Sequence, residues 1–205
     1  QAMQAAPPVA LRIGATKTIG DYILGPAIRR FLDAPDHQLQ FLVDNTAALL
    51  HRLEQGELDF VVLEGVFNKA RYDSFLLRNE PYIGICPPGH PLDGQTISPE
   101  ALLGQRLILR EEGSGTRDLL ERSLAQCGYT VGAFSGTVCV SSFKIIRELV
   151  CAGYGISFVY AAVAADLPAP GRFFCPPLTG SHELNAVWLK GTDAGALARA
   201  FAAGL

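Results

Sequence analysis

Lysine is scarce in this sequence, with four in 205 residues, and lysine plus arginine (17) fall short of aspartate plus glutamate (20), for a formal charge of −3. Arginine is commoner but dispersed, and no basic run stands out. A chain that itself grips nucleic acid carries a basic patch or stripe, so direct DNA contact by this stretch is not expected. Long apolar runs are also missing: none reaches the roughly 18 residues of a membrane span. The opening QAMQAAPPVA has neither a basic start nor an apolar core of signal-peptide length, so no secretion signal is expected. The five cysteines (Cys86, Cys127, Cys139, Cys151, Cys175) are odd in number and never spaced C-x-x-C. They read as reduced, buried thiols of a cytoplasmic protein rather than a disulfide framework or zinc site. The four histidines (His37, His51, His90, His182) are isolated, so no metal site is expected.

What is present is the composition of a folded domain, 49% hydrophobic with 18% charge, in an alternating order. VALRIGA reads as a buried strand. After it, an irregular first turn is expected from Thr18, with a regular helix starting near Pro26, because proline breaks a helix interior. LQFLVD is a second strand, and Asn45-Thr46 caps a helix with Leu49, Leu50 and Leu53 inward and Gly56 at its end. LDFVVL is a third strand, apolar nearly throughout, as strands buried on both faces are. PPGHPLDG (Pro87–Gly94) is the densest turn cluster. Beyond it RLILR, a helix after Gly115, GTVCV, a helix over Ser142–Ala152 and ISFVY repeat the rhythm. A second turn-rich stretch, LPAPGRFFCPPLTG, precedes the strand ELNAVWL and an alanine-rich terminal helix.

Two turn-rich crossovers flanking a self-contained α/β segment predict two lobes, the second inserted into the first. Residues 1–8 read as a linker or tag remnant, 9–86 with 177–205 as lobe I, and 87–176 as lobe II. A cleft between such lobes is a preferred place for a small ligand.

Gly113-Ser114-Gly115-Thr116 looks at first like a phosphate loop, yet it fails the motif tests. A P-loop requires a lysine after its second glycine; a dinucleotide fingerprint requires glycine where Asp118 stands. A nucleophile elbow is G-x-S-x-G, not the directly bracketed Gly113-Ser114-Gly115. A generic anion seat remains, since a helix start offers free N–H groups, but plain helix capping uses the same donors. The pattern recurs: Thr16 and Thr18 follow the first strand, Thr46 the second, Ser141 and Ser142 the strand GTVCV, and Glu64 closes the third strand. Singly, each hydroxyl reads as a cap. Together, hydroxyl-bearing turns at the carboxyl ends of parallel strands mark the edge where ligands collect. No histidine neighbours these serines, and no carboxylate pair shares a helical face among them, so a catalytic role is not expected.

The stretches LRIGATKTIGDYILGPAIRRF, NTAALLHRLEQGELDFVVLEG, PPGHPL, LILREEGSGTRDLLE and LVCAGYGISFV resemble the effector-binding (substrate-binding) domain of LysR-type transcriptional regulators, from about Leu11 to the C-terminus. Within that family the chain looks like the CysL-like and CbbR-like branch, where REPGSGTR and LIEG recur; Glu112 stands here for the proline. The resemblance implies an α/β fold of two Rossmann-like lobes, type 2 periplasmic-binding-protein-like, with an effector cleft between them. It implies effector contacts at Thr16, Thr18, Thr46, Glu64, Ser114 and Thr116, to which position adds Gly115, Ser141 and Ser142. Some relatives carry arginine at the third-strand position, so Glu64 argues against a bound carboxylate there. The hydroxyls and helix N-termini favour a small anionic effector, and no cofactor is expected; the resemblance further implies a homodimer (a tetramer in full-length form), and DNA contact only through an N-terminal winged helix-turn-helix outside this stretch. A transporter's solute-binding protein and a dehydratase-like enzyme are the alternatives on the same fold. The latter is weakened because Thr116-Arg117 is followed by Asp118 rather than phenylalanine.

Overall fold

The computed structural model describes residues 9–64 and 67–205; the linker reading of residues 1–8 lies outside them. The chain divides into two compact units, residues 1–78 with 183–205 and residues 79–182.

In the first unit, β1 (Ala10–Ala15), β2 (Gln38–Val43) and β3 (Phe60–Glu64) are parallel, with β1 between the other two. Leu11 and Ile13 of β1 point inward while Ala10 and Arg12 are exposed, and β3 is buried at every position. The start of β1 is thus covered on one face, whereas its last three residues and the whole of β3 are buried on both. The helices α1 (Lys17–Tyr22), α2 (Gly25–Leu32), α3 (Thr46–Glu54) and α7 (Ala194–Ala202) complete the unit. Where an irregular turn was expected from Thr18, a six-residue helix forms instead, and α2 follows with Pro26 in its first turn. Proline is accommodated there because the first N–H groups of a helix have no intrahelical partner. Helix α3 starts as anticipated, with the Asn45 side chain accepting from the Ala48 N–H at 2.9 Å. It lies directly on β1: a Cβ on Gly14 would stand 2.6 Å from Leu49 Cδ2. Leu49 and Leu53 join Leu58, Val61, Leu63, Tyr72 and Val187 in the core, with Leu50 only partly buried.

The second unit contains the latter part of β4 (Tyr72–Cys86), α4 (Pro99–Leu102), β5 (Arg106–Leu109), α5 (Gly115–Gln126), β6 (Gly136–Cys139), α6 (Phe143–Cys151), β7 (Ser157–Tyr160), β8 (Gly171–Phe173) and the start of β9 (Gly180–Leu189). Strands β5 and β6 are parallel, and Leu107 forms an isolated parallel bridge to Ile156, the residue before β7. The Ser157 hydroxyl donates to the Ile108 carbonyl at 2.6 Å. Strand β4 runs antiparallel to both β7 and β8. Tyr82, Leu107, Leu120, Leu124, Phe158 and Phe173 belong to one continuous core.

The sheet is mixed rather than parallel throughout, because β9 pairs antiparallel with β3. The units exchange at Arg78/Asn79 and His182/Glu183, inside β4 and β9, whereas the expected boundaries were 86/87 and 176/177. Turn-rich composition marks where a chain reverses; a strand that runs on from one unit into the next leaves no such mark. The thiols also differ from the expectation of uniform burial. All five are free, but Cys139 is exposed, and only Cys86 and Cys175 are fully buried. Burial pushes those two thiols up to about 11, so neither is an available nucleophile at neutral pH.

Candidate functional site

The nine anticipated residues fall into two groups, one in each unit. In unit 1, Thr16 follows β1, Thr46 opens α3 after β2, and Glu64 ends β3. Since these strands are parallel, the three residues share the carboxyl edge of the sheet. Thr18 lies in α1, which packs against all three strands. Thr16, Thr18 and Glu64 are buried and Thr46 is half-buried. Thr16 is the residue preceding α1, yet its hydroxyl does not cap the helix. It donates to the Glu64 carboxylate at 2.8 Å across the sheet edge. The hydroxyl of Thr18, fully buried, has no hydrogen-bond partner. Such a group carries a desolvation cost of about 1–3 kcal/mol.

In unit 2, Ser114, Gly115 and Thr116 open α5 after β5, and Ser141 and Ser142 open α6 after β6. Gly113 has φ +82°, in the left-handed region, and so sets the turn that brings the chain into α5. Ser114 occupies the capping position with extended backbone, but its side chain makes no capping bond, although the residue is only 4% exposed. Thr116 is buried and its hydroxyl, like that of Thr18, is orphaned. Its carbonyl accepts from the Tyr82 hydroxyl at 3.1 Å, which ties the first turn of α5 to β4. A cavity of about 10 Å³ beside it is lined by Tyr82, Arg110, Thr116 and Arg117, at the lower limit for one water.

Capping versus ligand contact, unresolved by sequence, thus divides residue by residue. Asn45 and Ser142 are ordinary caps, the latter accepting from the Ile145 N–H at 3.4 Å. Thr16 and Ser114 are not. Ser141 is exposed beside the Ser142 cap.

Two arginines flank the unit 2 loop. Arg117, directly after Thr116, is engaged by Glu121 at 2.7 Å and by the Arg110 carbonyl at 3.3 Å. The bond to Glu121 raises its pKa, so it is permanently charged but internally neutralised. Arg110 was not singled out by sequence. It is nearly buried, grips both oxygens of Glu111 at 2.7 and 2.8 Å, and lies 4.4 Å over the Phe143 ring. Its only sequence signal was a charged residue closing the apolar run RLILR. Tyr82 had none, because its contact with Thr116 joins positions 34 residues apart. Among the described residues no group of three or more His, Cys, Asp or Glu is arranged to hold a metal ion, and no helix is long and apolar enough to cross a membrane.

Hydroxyl-bearing helix starts at the ends of parallel strands recur in the two α/β units, and comparison with known proteins gives the family. The LysR substrate binding domain pattern matches residues 6–205, and the chain belongs to that family. It is similar to the HTH-type transcriptional regulator CbbR of Sinorhizobium medicae, 31% identical over 153 residues, covering 74% of this chain and 48% of that protein. It is likewise similar to the HTH-type transcriptional regulator CysL of Bacillus subtilis, 29% identical over 155 residues, covering 75% and 51%. The chain thus spans about half the length of these relatives. Among solved structures, the regulatory domain of Synechocystis CcmR in complex with 2-PG superposes with a TM-score of 0.83. It is 19% identical, with 94% of this chain and 93% of that one covered. The fold anticipated from sequence is therefore the fold of the protein.

Proposed function

We propose that this chain is the effector-sensing part of a LysR-type regulator that binds a small anionic metabolite, with candidate contacts at Thr16, Thr18, Thr46 and Glu64 in unit 1 and candidate contacts at Ser114, Gly115, Thr116, Ser141 and Ser142 in unit 2. The observation that carries the reading is the pair of buried, unpartnered hydroxyls, Thr18 and Thr116, each at the start of a helix that follows a parallel strand. Leaving such groups unpaired is costly, and a bound oxygen atom removes the cost. Membership in the family and the fold shared with CcmR, described with 2-PG bound, support the same assignment.

In the whole protein, a winged helix-turn-helix outside this stretch contacts DNA, and the regulator works in the cytoplasm as a homodimer or higher assembly. Effector binding and DNA binding then influence one another to the same degree, because linkage is reciprocal. The effector acts by favouring one of two arrangements of the protein, and only its differential affinity for the two does so. A thermal-shift screen of small sulfur oxyanions, phosphate esters and carboxylates identifies the ligand class. Calorimetry on Thr18→Ala and Thr116→Ala then tests the site. Each variant is expected to stay folded and to bind about 0.5–1.5 kcal/mol more weakly. Affinities equal to wild type in both would remove these residues from the site.

A further inference from the structure

Away from the sheet edge that carries Thr16, unit 1 contains a cavity with walls from β1, α2 and α7. We propose that this cavity is a second small-molecule site, and that it takes a monocarboxylate with a compact apolar body about the size of one aromatic ring. It involves none of the candidate effector contacts.

The cavity measures about 280 Å³, and its lining includes Leu11 of β1, Arg30 and Phe31 of α2, His37 of the following turn, and Leu197 and Phe201 of α7, all in unit 1. Leu11 stands near the amino end of β1, whereas Thr16 follows its carboxyl end. At about 3.3 Å per residue the two places lie roughly 16 Å apart along the strand. An apolar cavity of about 150 Å³ already holds benzene, so a ring with a short substituent fits here. The walls are fixed before any ligand arrives. His37 Nδ1 donates to the Phe31 carbonyl at 2.7 Å, since a carbonyl only accepts, and the two rings stack with centroids 4.4 Å apart. Phe201 is braced by Phe31 and Phe60, with centroids 6.0 and 5.8 Å away. Side chains held in this way lose little freedom when a ligand enters, so its apolar contacts are little offset. Leu197 is 38% exposed, and a ligand that covers it removes apolar surface from water.

Arg30 sets the charge of the ligand. It is exposed, and among the described residues its guanidinium makes no hydrogen bond or ion pair. A Cβ on Gly204 would stand 3.7 Å from its Cζ, which places the guanidinium beside the end of α7. No acidic side chain is among the lining residues. The cavity thus joins an aromatic, apolar interior to a planar fork of N–H donors, the shape that matches a carboxylate with two parallel bonds. A second cavity of unit 1, of about 260 Å³ and sharing Leu197, shows the contrast. Its arginine, Arg12, is already bound to Asp59 and to the Gly56 carbonyl, each at 2.7 Å, and two aspartates, Asp59 and Asp193, line it.

Calorimetric titration with phenylacetate, phenylacetamide and acetate, together with methyl NMR of the leucine- and valine-labelled chain, tests the site. Phenylacetate is expected to bind at about millimolar concentration, ordinary for a ligand of about ten non-hydrogen atoms, and to shift the methyl signals of Leu11 and Leu197. Phenylacetamide has the same shape without the charge. It is expected to bind up to about fivefold more weakly, the upper range for an ion pair at a solvent-exposed position. Acetate, lacking the ring, is expected to show no binding at the same concentration. Arg30→Gln should bring phenylacetate down to the level of the amide and leave the amide unchanged. Thr18→Ala and Thr116→Ala should bind phenylacetate as wild type does, which separates this site from the effector contacts. Absence of phenylacetate binding overturns the proposal, as do shifts confined to methyls other than those of Leu11 and Leu197. Equal binding of acid and amide would reveal a packing gap open to any apolar body, and overturns it too. Should Arg30→Gln not fold, the acid-to-amide ratio of wild type and its methyl shifts decide alone.

Discussion

Unit 1 ends β3 on a buried carboxylate with a threonine hydroxyl donating to it, whereas unit 2 surrounds its Ser114–Thr116 turn with two arginines already paired to glutamates. The two corners share a plan: a parallel strand, a turn, and a helix whose first residues include a buried threonine without a hydrogen-bond partner. They differ in where the charge is spent. In unit 1 the carboxylate of Glu64, itself among the candidate ligand contacts, accepts from the Thr16 hydroxyl. In unit 2 the charge is withdrawn into Arg110–Glu111 and Arg117–Glu121 pairs that brace the loop from behind. A charged residue beside a site is thus not by itself a ligand contact; Arg110 and Arg117 are each held by a glutamate of their own unit. Arg117, which sequence alone could not assign, belongs to the bracing group by this measure.

Removing the brace should have the largest effect. Arg110→Ala is expected to destabilise unit 2 by about 2–3 kcal/mol, since it deletes a nearly buried side chain, a bidentate pair and a contact with the Phe143 ring. Urea unfolding measures it, and a loss within the error of the method would mean that Arg110 is surface decoration. Thr16→Val comes next. Depriving a buried carboxylate of its donor should cost about 1–3 kcal/mol in stability, and a smaller loss would indicate that the other surroundings of Glu64 suffice. Gly113→Ala forces a side chain into the left-handed region and should cost about 1–2 kcal/mol. An unchanged melting temperature would show that the turn relaxes.

These three positions also mark how far sequence reading reached. The GSGT turn was legible, because glycine and hydroxyl residues at a helix start are local signals. So were β1, β3, α3 and the two-unit α/β plan, since periodicity and capping act over a few residues. The 15-residue strand β4 was not recognised. Its second half, PYIGIC, is nearly all buried, but its first half, YDSFLLRN, alternates irregularly and ends in charge. The pairing of Thr16 with Glu64 joins residues 48 positions apart. Both had been placed at one sheet edge from strand order, yet which of them donates to the other depends on register and rotamer, about which composition is silent. Arg110 was missed for a related reason: its contact with the Phe143 ring, on α6, joins two separate elements.

The matched valines sharpen the comparison further. Thr18→Val and Thr116→Val remove an orphaned hydroxyl while keeping the shape, so each should leave stability unchanged or raise it by up to about 1 kcal/mol in the ligand-free protein. A loss at Thr116 alone would point to a water in the adjoining cavity and break the symmetry of the two corners. The smallest effect expected is a pH dependence carried by His182 in unit 2. His182 packs edge-on to Tyr82 and Tyr160, and burial lowers its pKa from 6.5. The unfolded chain then takes up a proton more readily than the folded one. Stability is therefore full above 6.5 and declines as pH falls through and below that value. His182→Gln should flatten this part of a melting-temperature profile, and an unaltered slope would assign the titration elsewhere.

Strand β9 has a further consequence, for the order in which the protein can be made. Unit 2 is one uninterrupted segment, residues 79–182, whereas unit 1 is completed only by residues 183–205. Strand β9 is hydrogen-bonded directly to β3 and supplies Val187 to that unit's core. A ribosome therefore releases everything needed for the inserted unit before it releases the strand that covers β3. Until then the nascent chain carries an open sheet edge, the kind of surface that invites pairing with another chain. A chaperone that shields apolar edges during synthesis is expected to stay on this chain until residues 183–205 emerge.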